Sequence, residues 1–365
     1  MSLTPFFSII VPVYQSKDYL KETVNSLQSQ TYSNIEILLI DDGSTDGSET
    51  ICDELAKVDK RIKVEHQKNQ GVVCARNVGL KLARGKWIIF VDSDDIVSKV
   101  MCKDFFDYIQ RYNWIDYIAM NFSKTRDGLI EQPSVNKVIF ELKTKTQSIN
   151  LIRQMLTSKF TGFTKNFEEL FGNNVVLNSV SGKAYKKSFI YKHNLLENNN
   201  VKYSEDLLFN VLLLGYYGRG IYVDDAIYYY RYNPKSVSHQ KYMPNLIESF
   251  FEFKKILENL IQKQKIYEIE NGLNVYILNS LLALISNDIF IPNQSIFECY
   301  KRFKILTSSK KFLTLCNGPI LRAIKPQLKV ITYIKLKLLV EQHFILLYLI
   351  INLSRSLVFI KKRKK

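Results

Sequence analysis

The sequence predicts an α/β fold: a mostly parallel sheet with helices on its faces, followed by a helical C-terminal extension. Three observations carry that reading. Short apolar runs of the kind found in doubly buried strands recur at Phe7–Val13, Ile35–Ile40 and Trp87–Val91, with a further short strand at Ile62–Glu65. Segments with apolar residues at helical spacing alternate strictly with them, as right-handed crossovers between parallel strands require. From Leu246 onwards the pattern is helical throughout.

The elements follow in order. Phe7–Val13 (FSIIVPV) ends in Pro12, Val13 and Tyr14. Lys17–Gln30 places Leu20, Val24 and Leu27 on one helical face, with Ser16 as its N-cap. Ile35–Ile40 runs into Asp41-Asp42-Gly43-Ser44-Thr45-Asp46-Gly47-Ser48, and the helix after it carries Ile51, Leu55 and Val58. After the short strand Ile62–Glu65, Gly71–Ala83 is a glycine-led helix closed by Arg84-Gly85. The central strand, Trp87–Val91, then runs straight into Asp92-Ser93-Asp94-Asp95. Three carboxylates in four residues repel one another unless a cation sits among them. Mg²⁺ or Mn²⁺ suits that place, being hard and often shared between one or two carboxylates and phosphate. Ligands of open α/β sheets also bind beyond the carboxyl ends of strands. The competing reading is an acidic turn with an Asp N-cap for the next helix.

At 365 residues the chain has room for about two domains. A hydrophobic fraction of 46% and a charged fraction of 24% are ordinary for a globular protein, but a formal charge of +16 is not. It favours an anionic partner: nucleic acid, an anionic membrane surface or a phosphorylated substrate. The five cysteines (Cys52, Cys74, Cys102, Cys299, Cys316) lack metal-type spacing and read as free thiols of a reducing cytosol. Phe6–Val13 lacks the flanks of a signal peptide. The alternation is a nucleotide-binding type of architecture, yet it holds neither G-x-G-x-x-G nor G-x-x-x-x-G-K-[ST]. A metal on Asp92 and Asp94 would hold phosphates instead.

VPVY at Val11–Tyr14, IDDGSTDGS at Ile40–Ser48, NQGVVCARNVGL at Asn69–Leu80 and FVDSDD at Phe90–Asp95 together resemble the GT-A family 2 glycosyltransferases, in order and spacing. The resemblance implies a nucleotide-diphospho-sugar transferase with a Rossmann-like sheet. It further implies that Pro12, Val13 and Tyr14 line the base pocket and that Asp42 accepts from the uracil ring NH. Arg76 would lie near base and phosphates, Asp92 would face ribose and metal, and Asp94 would ligate the Mn²⁺ or Mg²⁺ that bridges the donor phosphates. Other readings stand beside these: Asp41 and Asp42 as turn or cap residues, Arg76 as a helix-surface ion pair, Asp95 as a helix cap.

Beyond Asp95, Lys103–Arg111 is helical, Tyr117–Phe122 is a strand, and Thr125–Lys145 is polar. Gly162–Asn178 reads as a loop over the site, and Ser179–Lys187 looks like the family stretch before the acceptor-side helix. Glu205-Asp206 precedes an apolar helix, as the family's ED motif does. An inverting sugar transfer needs a carboxylate to take the acceptor hydroxyl's proton. By resemblance Asp206 is that base and Glu205 positions the acceptor or Asp206; a plain acidic helix start is the alternative. Ile221–Tyr232 is an edge-like strand leading to a segment that in relatives closes on the diphosphate, which makes Arg231 and His239 candidates for phosphate or metal contacts. The Q-x-x-R-W motif of processive synthases is absent, which favours single additions.

Phe250, Phe253, Ile256/Leu257 and Leu260 form an amphipathic face in the C-terminal third. Phe344–Ile360 is interrupted by polar residues, short for a spanning helix, and followed by Lys361-Lys362-Arg363-Lys364-Lys365. A basic amphipathic anchor on an anionic leaflet fits, against buried bundle helices or the interface of a homo-oligomer. The expected domains are a catalytic domain over 1–240, with a nucleotide-sugar half (1–100) and an acceptor half (101–240), and a helical region over 241–365. The expectation is an inverting, metal-dependent transferase moving a sugar from a UDP-sugar to a lipid-linked or oligosaccharide acceptor in capsule or exopolysaccharide assembly. It would be cytoplasmic, peripheral at the inner face of a bacterial membrane. Transfer to a polyprenyl phosphate is the enzymatic alternative. A basic nucleic-acid-binding protein is the rival of another class, but no motif for nucleic acid is present.

Overall fold

The computed structural model describes residues 4–126, 129–130, 139–161, 178–195, 200–231, 233, 246–284, 289–290, 294–316, 318–327 and 330–352. Two compact units divide the chain: Met1–Leu151 with Asn166–Ser236, and Ile152–Lys165 with Val237–Lys365.

In the first unit, β1 (Phe7–Val13), β2 (Ile35–Asp41), β3 (Ile62–His66) and β4 (Trp87–Phe90) pair in parallel in the order β3-β2-β1-β4. Their crossovers are α1 (Leu20–Gln28), α2 (Ser48–Val58) and α3 (Val72–Leu82). Alternate side chains of β1 face opposite ways. Phe7, Ile9, Val11 and Val13 share one core with Leu20, Val24 and Leu27 of α1 and with Ile51 and Leu55 of α2. On the other face α3 packs close. A Cβ on Gly79 would lie 2.4 Å from Ile10 Cγ2, so only glycine lets this helix settle on the sheet. Full burial of each such aliphatic side chain is worth roughly 1.5–3 kcal/mol. That is why these runs carry no polar alternation.

Beyond β4 the sheet continues in mixed sense. β5 (Ile96–Val97), α4 (Met101–Arg111), β6 (Tyr117–Arg126), β7 (Leu129–Ile130), β8 (Ile139–Leu142) and α5 (Lys145–Thr161) follow in sequence. Next come β9 (Lys183–Lys186), α6 (Lys187–His193), α7 (Glu205–Gly215) and β10 (Gly220–Arg231). β9 lies between β4 and β6, antiparallel to both. β10 pairs in parallel with β6 and antiparallel with β5 and β8. The edge position read for the tyrosine-rich strand is therefore corrected. β10 has partners on both sides, and its tyrosines serve packing: Tyr228 is fully buried and stacks on Phe122 at 4.6 Å. The segment 162–177, read as a loop over the site, lies outside the described residues.

In the second unit, α8 (Leu246–Gln264) buries Phe250, Phe253, Leu257 and Leu260, the face its periodicity predicts, against α9 (Glu270–Leu284), where the Phe253 and Tyr276 rings meet at 4.9 Å. α10 (Ile296–Ser308), α11 (Lys310–Leu315), α12 (Gly318–Ile324), α13 (Val330–Val340) and a helix over 344–352 complete the unit. Among the described residues no helix is long and apolar enough to cross a membrane.

Candidate active site

Because β1, β2 and β4 are parallel, Tyr14, Asp42 and Asp92 emerge side by side where these strands end. Small polar residues then close the seam between the loops. The Gln15 N–H donates to Ser44 Oγ at 3.2 Å, the Ser16 N–H to Ser48 Oγ at 2.9 Å and the Lys17 N–H to Asp46 Oδ2 at 3.0 Å. The Ser16 and Ser93 hydroxyls meet at 2.6 Å. This also corrects the N-cap reading of Ser16: its hydroxyl is used between loops, and α1 begins at Leu20 without a side-chain cap. At the mouth of this seam the Tyr14 ring is exposed, Pro12 is half-buried and the Val13 side chain lies in the core.

Asp41 and Asp42 divide the labour. Asp41 makes the expected turn, accepting the Ser44 N–H at 3.0 Å, and pairs with His66 Nδ1 at 2.9 Å. Asp42 accepts from Gln67 Nε2 (2.6 Å) and from the N–H groups of Gln70 and Gly71 (2.8 Å each). Three donors fix its carboxylate and the loop into α3, leaving about one lone-pair site for a ligand N–H. Gly71 has φ +92°, a left-handed conformation that explains the glycine before the helix.

The centre of the site is Arg76. It is buried, so the surface-ion-pair reading is excluded. Nη1 donates to Asp206 Oδ1 at 2.6 Å and Nη2 to Asp92 Oδ1 at 3.4 Å, while the guanidinium carbon lies 5.9 Å from the Phe90 ring centroid. One guanidinium thus spans a carboxylate from the DSDD segment and a carboxylate from the ED pair. Burial and the negative charge of Asp206 push the Glu205 carboxyl up to about 7. Asp92 is raised as well, by burial acting against the pull of Arg76 and with the repulsion of Asp206 and Asp94. A small cleft lies here, lined by Val73, Arg76, Val180, Glu205, Asp206 and Phe209.

Two residues that the sequence reading passed over fix Asp206. Its Oδ2 accepts the Val180 N–H at 3.2 Å. The carbonyl of that same peptide is held in turn by Lys183 Nζ, which donates to Ser179 O at 2.6 Å and to Asn210 Oδ1 at 2.8 Å. Asn210, one turn after Asp206 on α7, donates back to Ser179 O at 3.1 Å and Asp206 O at 2.8 Å. A lysine inside SGKAYKK and an asparagine inside the apolar run DLLFNVLLL were the available signals. All of Leu207–Gly215 is buried, so α7 is clamped on every side and only its first residues reach the cleft.

Asp94, two residues after Asp92, accepts a hydrogen bond at Oδ2 from Asn233 Nδ2 at 2.8 Å. Asp95 does not cap a helix: its buried carboxylate accepts the Tyr228 hydroxyl at 2.7 Å and the Arg231 N–H at 2.9 Å, tying the DSDD segment to β10. Arg231 is not brought to Asp92 or Asp94 by its side chain. Its Nη1 pairs with Glu22 at 2.8 Å and its guanidinium lies over the Tyr19 ring at 5.3 Å. His239 lies outside the described residues. Among those residues no three His, Cys, Asp or Glu side chains gather as a closed metal cage. Asp92 and Asp94, two residues apart and half-buried, instead offer hard oxygens on an open rim. That donor set fits a Mg²⁺ or Mn²⁺ shared with a ligand's phosphates.

Comparison with known proteins decides the family. The model of glycosyl transferase family 2 matches residues 8–171, and the uncharacterized glycosyltransferase EpsJ of Bacillus subtilis (strain 168) is 31% identical over 300 residues, 80% of each chain. The chain belongs to glycosyl transferase family 2. The putative glycosyltransferase EpsH of the same bacterium is 28% identical over 321 residues, 85% of each chain. The crystal structure of S. aureus TarS 1-349 in complex with UDP-GlcNAc superposes with a TM-score of 0.67 and 21% identity, covering 96% of this chain and 91% of that one. At that identity the likeness speaks to the fold, which is GT-A. As a family 2 glycosyltransferase the protein is an enzyme, and the Arg76 bridge joins the Asn69–Leu80 and Phe90–Asp95 stretches to Asp206.

Proposed function

We propose that this glycosyltransferase moves a sugar from a UDP-sugar to a hydroxyl of a lipid-linked glycan, with inversion, in assembly of a bacterial surface polysaccharide. The observation that supports the reading is the Arg76 bridge, which holds the DSDD and ED carboxylates one guanidinium apart. Donor and acceptor groups at that separation can meet at one anomeric carbon.

Tyr14 and Pro12 flank the base, and the remaining acceptor site of Asp42 takes the uracil N–H. A Mg²⁺ or Mn²⁺ held by Asp94 and Asp92 would offset negative charge on the leaving diphosphate. Asp206 takes the proton of the acceptor hydroxyl as the oxygen–anomeric carbon bond forms and the bond from that carbon to the phosphate oxygen breaks; UDP leaves. Glu205, pushed up to about 7, is available to hydrogen-bond the acceptor in either protonation state. The Arg76 guanidinium offsets the charge of two facing carboxylates.

The test is turnover of UDP-, GDP- and dTDP-sugars with Mn²⁺, Mg²⁺ or EDTA. Expected is metal-dependent preference for a UDP-sugar, abolished in Asp94→Ala, and transfer lost in Asp206→Asn while donor binding stays. Undiminished transfer by Asp206→Asn would redirect the reading to a polyprenyl phosphate, an acceptor already anionic and in no need of a base.

A further inference from the structure

The second unit presents a surface unlike that of an ordinary helical bundle. Among the described residues, eleven of the sixteen exposed large apolar side chains fall between 296 and 349. They lie on the outer faces of helices whose inner faces are already apolar. α10 buries Cys299, Phe303 and Leu306 yet exposes Ile296, Phe297 and Ile305. The helix over 344–352 buries Phe344, Leu347 and Ile351 and exposes Ile345, Leu346 and Leu349. α13 buries Leu336 and Leu339 and exposes Val330, Ile331 and Ile334. α10 and the 344–352 helix are neighbours: the Tyr300 and Phe344 rings meet at 5.2 Å and Lys304 Nζ donates to Gln342 Oε1 at 3.3 Å. An amphipathic helix in water turns polar residues outward, and large exposed apolar patches mark interaction surfaces.

Charge selects the partner. Residues 295–365 contain sixteen Lys or Arg and two Asp or Glu, so this stretch carries +14 of the chain's +16. A second copy would set that charge against itself. Nucleic acid would satisfy the lysines but leave the isoleucines, leucines and Phe297 in water. An anionic bilayer surface satisfies both, taking apolar side chains below the headgroups and ammonium groups among them.

We infer that the outward faces of α10, α13 and the 344–352 helix form a docking surface for an anionic membrane. The inference extends the proposed function, in which the acceptor is lipid-linked, and places membrane contact on folded helices rather than on the lysine-rich end alone. Neither Ile305 nor Leu346 nor Phe297 belongs to the catalytic site, so the two readings separate experimentally.

The experiment is co-sedimentation of the full chain with vesicles of phosphatidylcholine alone or mixed with phosphatidylglycerol. It compares wild type with the outward-facing triple variant Phe297→Glu, Ile305→Glu, Leu346→Glu, with circular dichroism as a fold check and hydrolysis of the soluble donor read in parallel. Expected is binding only to phosphatidylglycerol vesicles, weakened by salt, and reduced about tenfold or more in the triple variant, with donor hydrolysis unchanged. A triple variant that misfolds is replaced by Ile305→Gln alone, with a smaller loss in the same direction expected. Absence of wild-type binding, or full binding by a folded variant, overturns the inference while leaving the enzymatic reading intact. A wild-type dimer dissolved by the same substitutions, without vesicle binding, overturns it in favour of self-association.

Discussion

Arg76 sets the charge balance of the site, and its neighbours show what its loss would do. Asp92, Glu205 and Asp206 would face one another without the guanidinium. Arg76→Met is expected to cost about 2 kcal/mol, below the range for a wholly buried pair because both partner carboxylates keep some exposure. Transfer should fall by about two orders of magnitude. Urea unfolding and steady-state kinetics read the two effects. Arg76→Lys should not rescue, since one ammonium cannot reproduce the planar fork that spans two carboxylates. Lys183 acts one step further out. Burial pushes its ammonium down to about 7, and Asp206 pulls the other way. Lys183→Met removes the donor from Ser179 O and Asn210 Oδ1, so kcat should drop by about tenfold while KM for the donor stays level. A matching drop in donor affinity would mean a general loss of structure instead.

At the scale of elements, two contacts decide how the parallel strands β1 to β4 and their helices are held. Gly79 lets α3 touch β1, and Gly79→Val would drive methyl groups into Ile10 and Ile40. A loss of about 2–3 kcal/mol is expected, visible as a lower urea midpoint with the slope unchanged. His66, at the end of β3, joins Asp41 of β2 and Asp53 of α2. The hydrogen bond to Asp41, opposed by burial and helped by Asp53, raises its pKa above 6.5. The folded state therefore holds the proton more tightly than the unfolded chain. That stabilisation is complete below the unfolded value and is lost as pH rises through the folded one. Wild type should lose its advantage over His66→Gln across that window, measured as the difference in urea midpoints. An advantage that grows with pH would refute the assignment.

For the whole molecule, the division into units changes how truncation is interpreted. α5 crosses from one unit to the other at residues 151 and 152, and Ile152, Met155 and Leu156 are buried. Leu156 lies 3.5 Å from the site of a Cβ on Gly272, within the second unit. A chain cut after Asn245 leaves those side chains without α8 and α9, so it should aggregate where the full chain stays monodisperse, as size-exclusion chromatography would show. Outward substitutions on α10 and the 344–352 helix are thus the cleaner probe of membrane contact than removal of the unit.

Much of the first half was legible because the information is local. Strands β1 to β4, their crossovers and the acidic strand ends follow from periodicity and from which residues tolerate full burial. The turn made by Asp41 follows from Asx chemistry. β9 was not legible: KAYK is four residues long, without strand patterning, and is a strand because β4 and β6 both present unpaired backbone that it satisfies. Asp95 and Ser16, read as caps, were claimed by Tyr228 and Ser93 from 133 and 77 residues away. By itself, then, the sequence determined the α/β class, the family motifs and the carboxylates that belong to them. Only the tertiary structure decided that Arg76, 130 residues from Asp206, joins it to Asp92, and that Lys183 and Asn210 hold the peptide facing it. Local pattern is written in neighbouring residues. The pairing of buried polar groups depends on which distant strands share a register, because in a low-dielectric interior each such group must find a partner.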